Sequence, residues 1–273
     1  MKITIFTSYT NPEERRDPWR EAISCFEDIA DEIIVVGKNI PYEFEWGIWN
    51  KEFQKAFDDS SGDWVIRMDI DYFVHEKQIQ KLKNNLIKYK EYPGVVFPQY
   101  QFFVPTKYSY HTNLCLAVNK TKFPDIKLNG GTDKILPTIN NKILNFKKLP
   151  WLDVPIWQYD GIFRTKNIIA EDRARFARAW HRYSNNYDKR GGPTKELAYD
   201  AWFNFQKTRF KNHIFNVNIQ DHPKYIKERL KDLKENQFGY SAFGIAESVS
   251  PSIFDYLKSY KNKSFFKIKS KIV

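Results

Sequence analysis

The order of apolar and polar positions divides the first part of the chain into alternating strands and helices. Short apolar runs at residues 2–8 and 32–37 have the length and composition of buried strands. Between them, residues 19–30 carry an apolar side chain at each helical turn, and Asp17 is predicted to cap this helix. A strand, a helix and a second strand in this order predict a parallel sheet with helices on its faces.

The same pattern continues along the next hundred residues. A short helix around Trp49 precedes a buried strand at 64–68, a second helix spans about 75–89, and a further strand follows at 94–97. The segment 98–168 is less regular and is interpreted as strands and long loops, which can add an antiparallel strand to the edge of the sheet.

The remainder of the chain is predicted to be helical. The segment 171–183 has helical spacing, Thr194 is placed to cap another helix, and Pro223 to open a third. The fold class expected is therefore α/β, a Rossmann-like, mostly parallel sheet flanked by helices in residues 1–185, with a helical C-terminal extension in residues 186–273.

Composition supports a folded chain. Of the 273 residues, 42% are hydrophobic, which is enough to build a substantial core and argues against global disorder. Cys25 and Cys115 lie in apolar stretches and are expected to be buried free thiols in a reducing compartment. The apolar run at the N-terminus is too short for a signal peptide, and no stretch is long enough to span a membrane, so we expect a cytoplasmic protein.

The net charge of +11 favours anionic partners, namely phosphates, nucleic acids or an anionic membrane surface. Residues 258–273 contain six lysines and no acidic residue. This tail is interpreted either as a flexible, solvated segment or as a peripheral membrane contact made through its apolar side chains, Phe265, Phe266, Ile268 and Ile272.

The clearest chemical signal is the pair Asp69 and Asp71, which follows the third buried strand. Side chains two residues apart on a strand point to the same side, so both carboxylates are expected to converge at the strand's carboxyl end. Two adjacent carboxylates suit Mn²⁺ or Mg²⁺, which commonly bridges diphosphate oxygens. An isolated pair of this kind is also frequent among solvated turn residues.

The surrounding residues carry a family resemblance. The segment Trp49–Leu82, with Gly62-Asp63-Trp64 before Met68-Asp69-Ile70-Asp71, resembles the donor-binding region of family 2-like glycosyltransferases of the GT-A type. Tyr72 stands where these enzymes commonly have Glu, and Gly37-Lys38-Asn39 stands where they have an acidic cluster. The resemblance implies a GT-A fold and a metal-assisted transfer, with inversion, from a nucleotide-diphosphate sugar to a hydroxyl of a glycan or lipid-linked acceptor.

The resemblance also implies roles for individual residues. Asp69 and Asp71 would hold the cation, with His222 as a third metal ligand. Trp46 and Trp49 would stack on the donor in place of the missing acidic cluster. The substrate-binding candidates as a group are Thr7, Ser8, Tyr9, Trp46, Trp49, Asn50, Arg67, Asp69 and Arg173.

The general base has two candidate positions. The pair Glu171 and Asp172, at the predicted start of a helix, matches the position of the acidic pair in GT-A enzymes, and Asp160 follows an apolar segment. Acidic residues at a helix start also complement the helix dipole without any catalytic role. A retaining mechanism would need neither base.

Two other classes of protein compete with this interpretation. A sugar nucleotidyltransferase would need a glycine-rich phosphate loop after the first strand, but the segment 7–12 contains no glycine. A basic nucleic-acid-binding protein is compatible with the charge and with 17% aromatic residues, but no nucleic-acid-binding motif is present and nucleic acid is not expected as a partner. A GT-A protein that has lost catalysis is the third alternative.

Overall fold

The computed structural model describes residues 1–131 and 135–272, except for the side chains of residues 111–113 and 272. The strands are β1 (Ile3–Ser8), β2 (Glu32–Val36), β3 (Trp64–Arg67), β4 (Tyr72–Val74), β5 (Gly94–Val104), β6 (Lys107–Asn119), β7 (Lys127–Gly130), β8 (Leu136–Ile139), β9 (Lys142–Ile143), β10 (Ile156–Gln158) and β11 (Phe215–Asn216). The helices are α1 (Trp19–Ile29), α2 (Ile48–Asp59), α3 (Ile79–Lys88), α4 (Lys166–Ser184), α5 (Lys195–Phe210), α6 (Lys227–Lys231), α7 (Phe238–Ser241), α8 (Ile245–Ser248) and α9 (Ile253–Ile272).

The central sheet formed by the described residues has eight strands in the order β2-β1-β3-β6-β5-β10-β4, with β11 paired to β6. β1 is parallel to β2 and β3, and β10 is parallel to β5. Since β6 is antiparallel to β3, β5 and β11, and β4 is antiparallel to β10, all strands except β4 and β6 run in the same direction. The protein is therefore a mixed α/β molecule with a mostly parallel central sheet flanked by helices, as the sequence predicts.

The antiparallel strand that the segment 98–168 supplies is β6, and it lies in the middle of the sheet; the antiparallel strand at the edge is β4. β5 and β6 form a long hairpin, and β6 inserts between β3 and β5. The expected strand at 94–97 continues to Val104, past Pro98, where the register of the hairpin shifts. A proline is tolerated at such an irregularity because its missing N–H is not required there.

Two helical layers cover the sheet. Side chains alternate along β1, so that Ile5 packs with α1 and α3 on one face, while Phe6 packs with α2 and α9 on the other. Cys25 and Cys115 are buried free thiols, as expected, while the reducing compartment stays a prediction. A smaller sheet of β7, β8 and β9 adjoins α2.

Two helix starts differ from the predicted ones. The residue before α1 is Pro18, which provides no side-chain cap, and Asp17 bonds to arginines instead. Helix α4 begins at Lys166 with the Thr165 hydroxyl accepting from the N–H of Ile168 at 3.4 Å, so the acidic pair at 171–172 lies inside the helix. The predicted cap at Thr194 is confirmed by its bond from the N–H of Leu197.

The C-terminal part of the chain joins the main body. Strand β11 pairs with β6, so residues beyond 186 contribute to the central sheet, and the division between 185 and 186 stays a prediction. The helix expected after Pro223 covers only Lys227–Lys231. The lysine-rich tail forms α9 and docks through Phe266, which is 1% exposed, whereas Val273 lies outside the described residues.

Candidate functional site

A cavity of about 300 Å³ opens where strands β1, β3 and β10 end. These strands run in the same direction, so the segments that follow them meet at one edge of the sheet. Such an edge is where open α/β sheets bind ligands. The side chains lining the cavity come from these segments and from helices α2 and α4.

Asp69 and Asp71 both line this cavity, as predicted, but not from within a strand. β3 ends at Arg67, and the two aspartates occupy the turn between β3 and β4, where the N–H of Tyr72 donates to the Asp69 carbonyl at 2.9 Å. The N–H of Tyr159 donates to the Asp71 carbonyl at 3.0 Å, which ties the turn to the end of β10.

The two carboxylates have different surroundings. Asp69 forms an ion pair with Arg67 at 3.2 Å, and the Arg67 guanidinium also lies 4.9 Å from the centre of the Phe53 ring. Asp71 accepts a long bond of 3.4 Å from the Gln158 amide. Burial, followed by the negative charges of Asp69 and Asp160, raises the pKa of Asp71 to about 8.

Asp160 is the third acidic residue on this part of the cavity surface. The Gln101 side-chain Nε2 donates to its Oδ2 at 3.3 Å, and Arg209 in turn donates to the Gln101 side-chain Oε1 at 2.6 Å. The carboxylate is half-buried and faces the cavity, so it can reach a bound molecule. We refer to Asp69, Asp71 and Asp160 as the acidic cluster.

A ring of ion pairs forms another part of the cavity surface. Arg15 donates from Nε to Asp17 Oδ2 at 2.9 Å and pairs through Nη1 with Asp172. Arg164 closes the ring, with Nη2 2.6 Å from Asp17 Oδ1 and Nη1 3.4 Å from Asp172 Oδ2. The ring joins the segment after β1, the segment after β10 and helix α4.

Two further arginines, Arg173 and Arg175, contact Asp172 at 3.4 Å and 3.2 Å. Burial alone would raise the pKa of Asp172, but the nearby arginine charges outweigh burial and hold the pKa below its ordinary value. Asp172 is thus an ionised structural partner. We call this set the arginine network: Arg15, Asp17, Arg164, Asp172, Arg173 and Arg175.

Glu171 does not line the main cavity. Its carboxylate pairs with Lys195 and accepts from the Tyr42 hydroxyl, and it borders a neighbouring cavity of about 140 Å³. The bond from Lys195, followed by the bond from Tyr42, lowers the pKa of Glu171. The two members of the predicted acidic pair therefore have separate surroundings.

The residues predicted to bind substrate are divided between cavity and core. Ser8, Tyr9, Trp49, Arg67, Asp69 and Arg173 line the cavity. Thr7 is buried within β1, and Asn50 is half-buried in α2 without contributing to the described lining. Trp46 is packed against Phe176 and Trp180, so its ring is not available for stacking on a ligand.

Trp49 reaches the cavity beside Gly37. Gly37 stands after β2, where GT-A enzymes of the family that the sequence resembles commonly have acidic residues. Gly37 has a φ of +82°, and a Cβ at this position would lie 3.0 Å from the Trp49 ring. A glycine therefore satisfies both the left-handed backbone and the close approach of the indole. Trp49 and Phe53 give the cavity an aromatic surface.

His222 has no role at this cavity in the structure, which corrects the expectation of a third metal ligand. Its side chain is fully buried, with Nδ1 2.8 Å from the Tyr159 hydroxyl and Nε2 2.8 Å from the Pro105 carbonyl. Burial lowers its pKa to about 4, so the ring is neutral. Both nitrogens are occupied, and neither is available to a cation.

The sequence pattern did not identify four residues of the site. Arg15, Asp17, Gln158 and Arg164 all line the cavity. Each lies within the segments that end or follow β1 and β10. For Arg15 and Asp17, the available signal is their place shortly after the predicted strand at 2–8. The sequence predicts no defined strand before Gln158 and Arg164.

The acidic cluster is chemically suited to a divalent cation. The described residues contain no group of three or more His, Cys, Asp or Glu side chains arranged to hold a metal ion. Mg²⁺ is nevertheless usually bound by one or two carboxylates together with phosphate oxygens and water. Burial and, after it, the charges of Asp69 and Asp160 raise the pKa of Asp71, and a cation would relieve both effects. Asp69 and Asp71 therefore fit such an ion.

Comparison with known proteins gives only distant matches. No family model matches the sequence, and no curated protein matches it. A solved glycosyltransferase involved in glycosylation of the major capsid of PBCV-1 is similar at 15% identity and a TM-score of 0.28, over 45% of this chain and 62% of the other, which is less than two thirds. S. aureus TarS 1–349 aligns over 91% of both chains at 10% identity and a TM-score of 0.33. The same protein in complex with UDP-GlcNAc aligns over 91% of this chain and 89% of the other, at 10% identity and a TM-score of 0.33. Similarity this low establishes neither family nor activity.

Proposed function

We propose that this chain is a glycosyltransferase of the GT-A type. It takes a nucleotide-diphosphate sugar in the cavity at the ends of β1, β3 and β10 and transfers the sugar to a hydroxyl of a glycan or lipid-linked acceptor. The observation that carries the proposal is the acidic cluster beside the arginine network in one cavity of about 300 Å³. A diphosphate that arrives with a divalent cation needs acidic and basic groups side by side.

The basic residues would bind the diphosphate. Arg67 and Arg173 line the cavity with side chains that are 19% and 32% exposed. Guanidinium groups match phosphate oxygens with two parallel N–H donors, so arginine is well suited to this role. Arg15 and Arg164 are ion-paired with Asp17 and Asp172. Their fixed positive charges would add to the potential that attracts the diphosphate to Arg67 and Arg173.

Asp69 and Asp71 would hold Mn²⁺ or Mg²⁺ together with oxygens of the diphosphate. When bound, such an ion offsets the negative charge that develops on the departing nucleotide diphosphate. The Asp71 turn is fixed to β10 by the bond from the N–H of Tyr159, which keeps its carboxylate oriented toward the cavity. The aromatic rings of Trp49 and Phe53 offer an apolar surface to the base or the sugar.

Asp160 is the better candidate for the general base of an inverting transfer. It would accept the proton of the acceptor hydroxyl as that oxygen attacks the sugar, while the Gln101 amide holds its Oδ2 in place. Asp172 is less suited, because its lowered pKa and its arginine partners weaken its affinity for a proton.

Calorimetric titration with UDP, GDP and dTDP, with and without Mn²⁺, tests the donor site and identifies the nucleotide. We expect one nucleotide to bind in a Mn²⁺-dependent manner, and Asp71→Asn to remove that dependence without unfolding the protein. Asp58→Asn is the matched control, because Asp58 is an exposed carboxylate on α2. Equal Mn²⁺-dependent binding by Asp71→Asn and wild type would refute the cation site.

A further inference from the structure

The helix α9 exposes an unusual amount of apolar surface. Phe254 is 77% exposed, Leu257 62% and Ile268 57%. Nearly half of the exposed large hydrophobic side chains among the described residues lie on this one helix, namely Ile253, Phe254, Tyr256, Leu257, Tyr260, Phe265 and Ile268. Exposed apolar patches of this kind mark contact with a protein or a membrane.

One side of α9 is docked and the other is not. Phe266 packs against Trp151 and Tyr110 with ring centres 5.1 Å and 5.6 Å apart, and Ser259, two turns earlier on the same side, is buried. At 100° per residue, Leu257 and Ile268 lie on the opposite side of the helix. The exposed side centred on Leu257 and Ile268 is therefore separate from the docked surface, whereas Tyr260 and Phe265 lie at its borders and contact Phe215 and Trp151.

Lysines occur along the whole helix, namely Lys258, Lys261, Lys263, Lys267, Lys269 and Lys271. Lys263 belongs to the docked side, because its Nζ lies 4.2 Å from the centre of the Phe215 ring. The acidic residue of the helix, Asp255, lies in its first turn and bonds to Ser252. At 100° per residue, Lys261 falls between Ile268 and Phe254, so lysines are interspersed with the exposed apolar side chains. A lysine in such a position can extend its charged end past its apolar neighbours to lipid phosphates, as in segments that lie in a membrane interface.

A basic cleft of about 410 Å³ opens beside the same helix. Lys81 and Lys88 of α3 and Lys267 and Lys271 of α9 line it, together with Asp153, which pairs with Lys81 at 2.9 Å. The lysines outnumber this single acidic residue, so the cleft favours an anionic group such as the phosphate of a lipid headgroup.

We propose that α9 docks the protein on a bilayer that contains anionic lipids, with its apolar face inserted at the headgroup level and its lysines on the lipid phosphates. Among the described residues, no helix combines the length and apolar character needed to cross a bilayer, so α9 would lie in the surface plane. A second copy of the chain fits this face less well, because pairing two such helices would bring their lysines together. The proposal is independent of the proposed transferase activity.

Vesicle flotation tests this docking surface. We expect the wild-type protein to float with vesicles of phosphatidylcholine and phosphatidylglycerol in equal parts, but not with phosphatidylcholine alone. The double variant Phe254→Ser, Leu257→Ser should weaken binding by about tenfold or more, because both side chains are exposed and lose apolar contact with the bilayer. Lys261→Glu with Lys271→Glu should weaken it by about 30-fold or more.

Matched controls separate this surface from overall charge and hydrophobicity. Leu197→Ser with Phe205→Ser removes exposed apolar residues of α5, and Lys51→Glu with Lys55→Glu reverses exposed lysines of α2. Both should float like wild type. Loss of flotation in the controls to the same degree as in the α9 variants would overturn the proposal, and so would equal flotation on neutral vesicles or none on either. A wild-type dimer that the α9 variants dissociate in size-exclusion chromatography would overturn it in favour of a second copy.

Discussion

Asp71 and Asp172 line the same cavity, but their pKa values are shifted in opposite directions. Burial beside Asp69 and Asp160 raises the pKa of Asp71 to about 8, whereas the arginine charges around Asp172 hold its pKa below the ordinary value. Residue type and location are shared, so the difference comes from the partners. The Asp172 carboxylate is ion-paired with several arginines, whereas at Asp71 burial and the neighbouring carboxylates outweigh the charge of Arg164.

The comparison distinguishes a structural carboxylate from a binding one. The arginine network is closed by ion pairs that join segments 147 residues apart in the chain, such as Arg164 and Asp17, and it stabilises the site without a ligand. The acidic cluster is held together by the backbone although burial and the neighbouring carboxylates both disfavour an ionised Asp71, which costs stability. A ligand that brings positive charge is therefore expected at the acidic cluster.

The largest expected effect concerns the assignment of the base. Asp160→Asn should lower the rate of sugar transfer by roughly 100- to 10,000-fold, because the acceptor hydroxyl loses its proton acceptor. The measurement is kcat with the donor identified by titration, with Asp200→Asn on the exposed side of α5 as the control. A near-normal kcat for Asp160→Asn would exclude Asp160 as the base.

The next effect concerns folding. Asp172→Asn should lower the free energy of unfolding by roughly 3–5 kcal/mol, because it leaves buried arginines without their shared carboxylate. Urea denaturation measures this change. A loss below about 1 kcal/mol would show that the network contributes little.

The neighbouring residue provides the control for that variant. Glu171→Gln removes a carboxylate that is 33% exposed and pairs with the exposed Lys195. Ion pairs of this kind contribute about 0–1 kcal/mol, so the free energy of unfolding should change little. Equal losses for Glu171→Gln and Asp172→Asn would indicate that position in α4, rather than the arginine network, decides stability.

The third prediction concerns the pH dependence of the same network. The pKa of Asp172 is lower in the folded protein than in the unfolded chain, so its contribution to stability is fully present above about pH 4, the unfolded value, and is lost as pH falls further. The stability difference between wild type and Asp172→Asn should shrink by at most about 1.4 kcal/mol per pH unit below pH 4. Urea titrations from pH 7 to pH 3 measure it, and a difference that grows on acidification would contradict the assignment.

The sequence predicted the parts of the fold that depend on local pattern. β1, β2 and β3 and the helices between them follow from apolar spacing, which is a property of neighbouring residues. The insertion of β6 at the centre of the sheet depends on pairing between distant segments, and Pro98 marked the apparent end of a strand that in fact continues. Periodicity does not report such long-range pairing.

The same distinction applies to the site. Asp69 and Asp71 were recognised from a short motif and do line the cavity. Asp17 was interpreted as a helix cap because the local signal is strong, but its partner Arg164 is 147 residues away. His222 stands between an apolar run and a predicted helix, which suggests a free ligand, whereas the Tyr159 hydroxyl 63 residues earlier holds it in the core. Local sequence identifies candidate groups, and the partners that decide their roles come from the fold.

The smallest effect expected is the most direct test of the contrast within the acidic cluster. Without metal at pH 8, Asp71→Asn should leave the free energy of unfolding unchanged or raise it by about 1 kcal/mol, because it removes one of two repelling charges. Asp69→Asn should instead lower it by about 1 kcal/mol or less, since it breaks the ion pair with Arg67. Opposite signs in paired urea denaturation curves would support a cluster in which an ion pair stabilises Asp69, whereas burial and like charge destabilise an ionised Asp71. If both variants lose stability equally, the protein already neutralises both carboxylates, and the contrast between Asp71 and Asp172 no longer predicts where a cation binds.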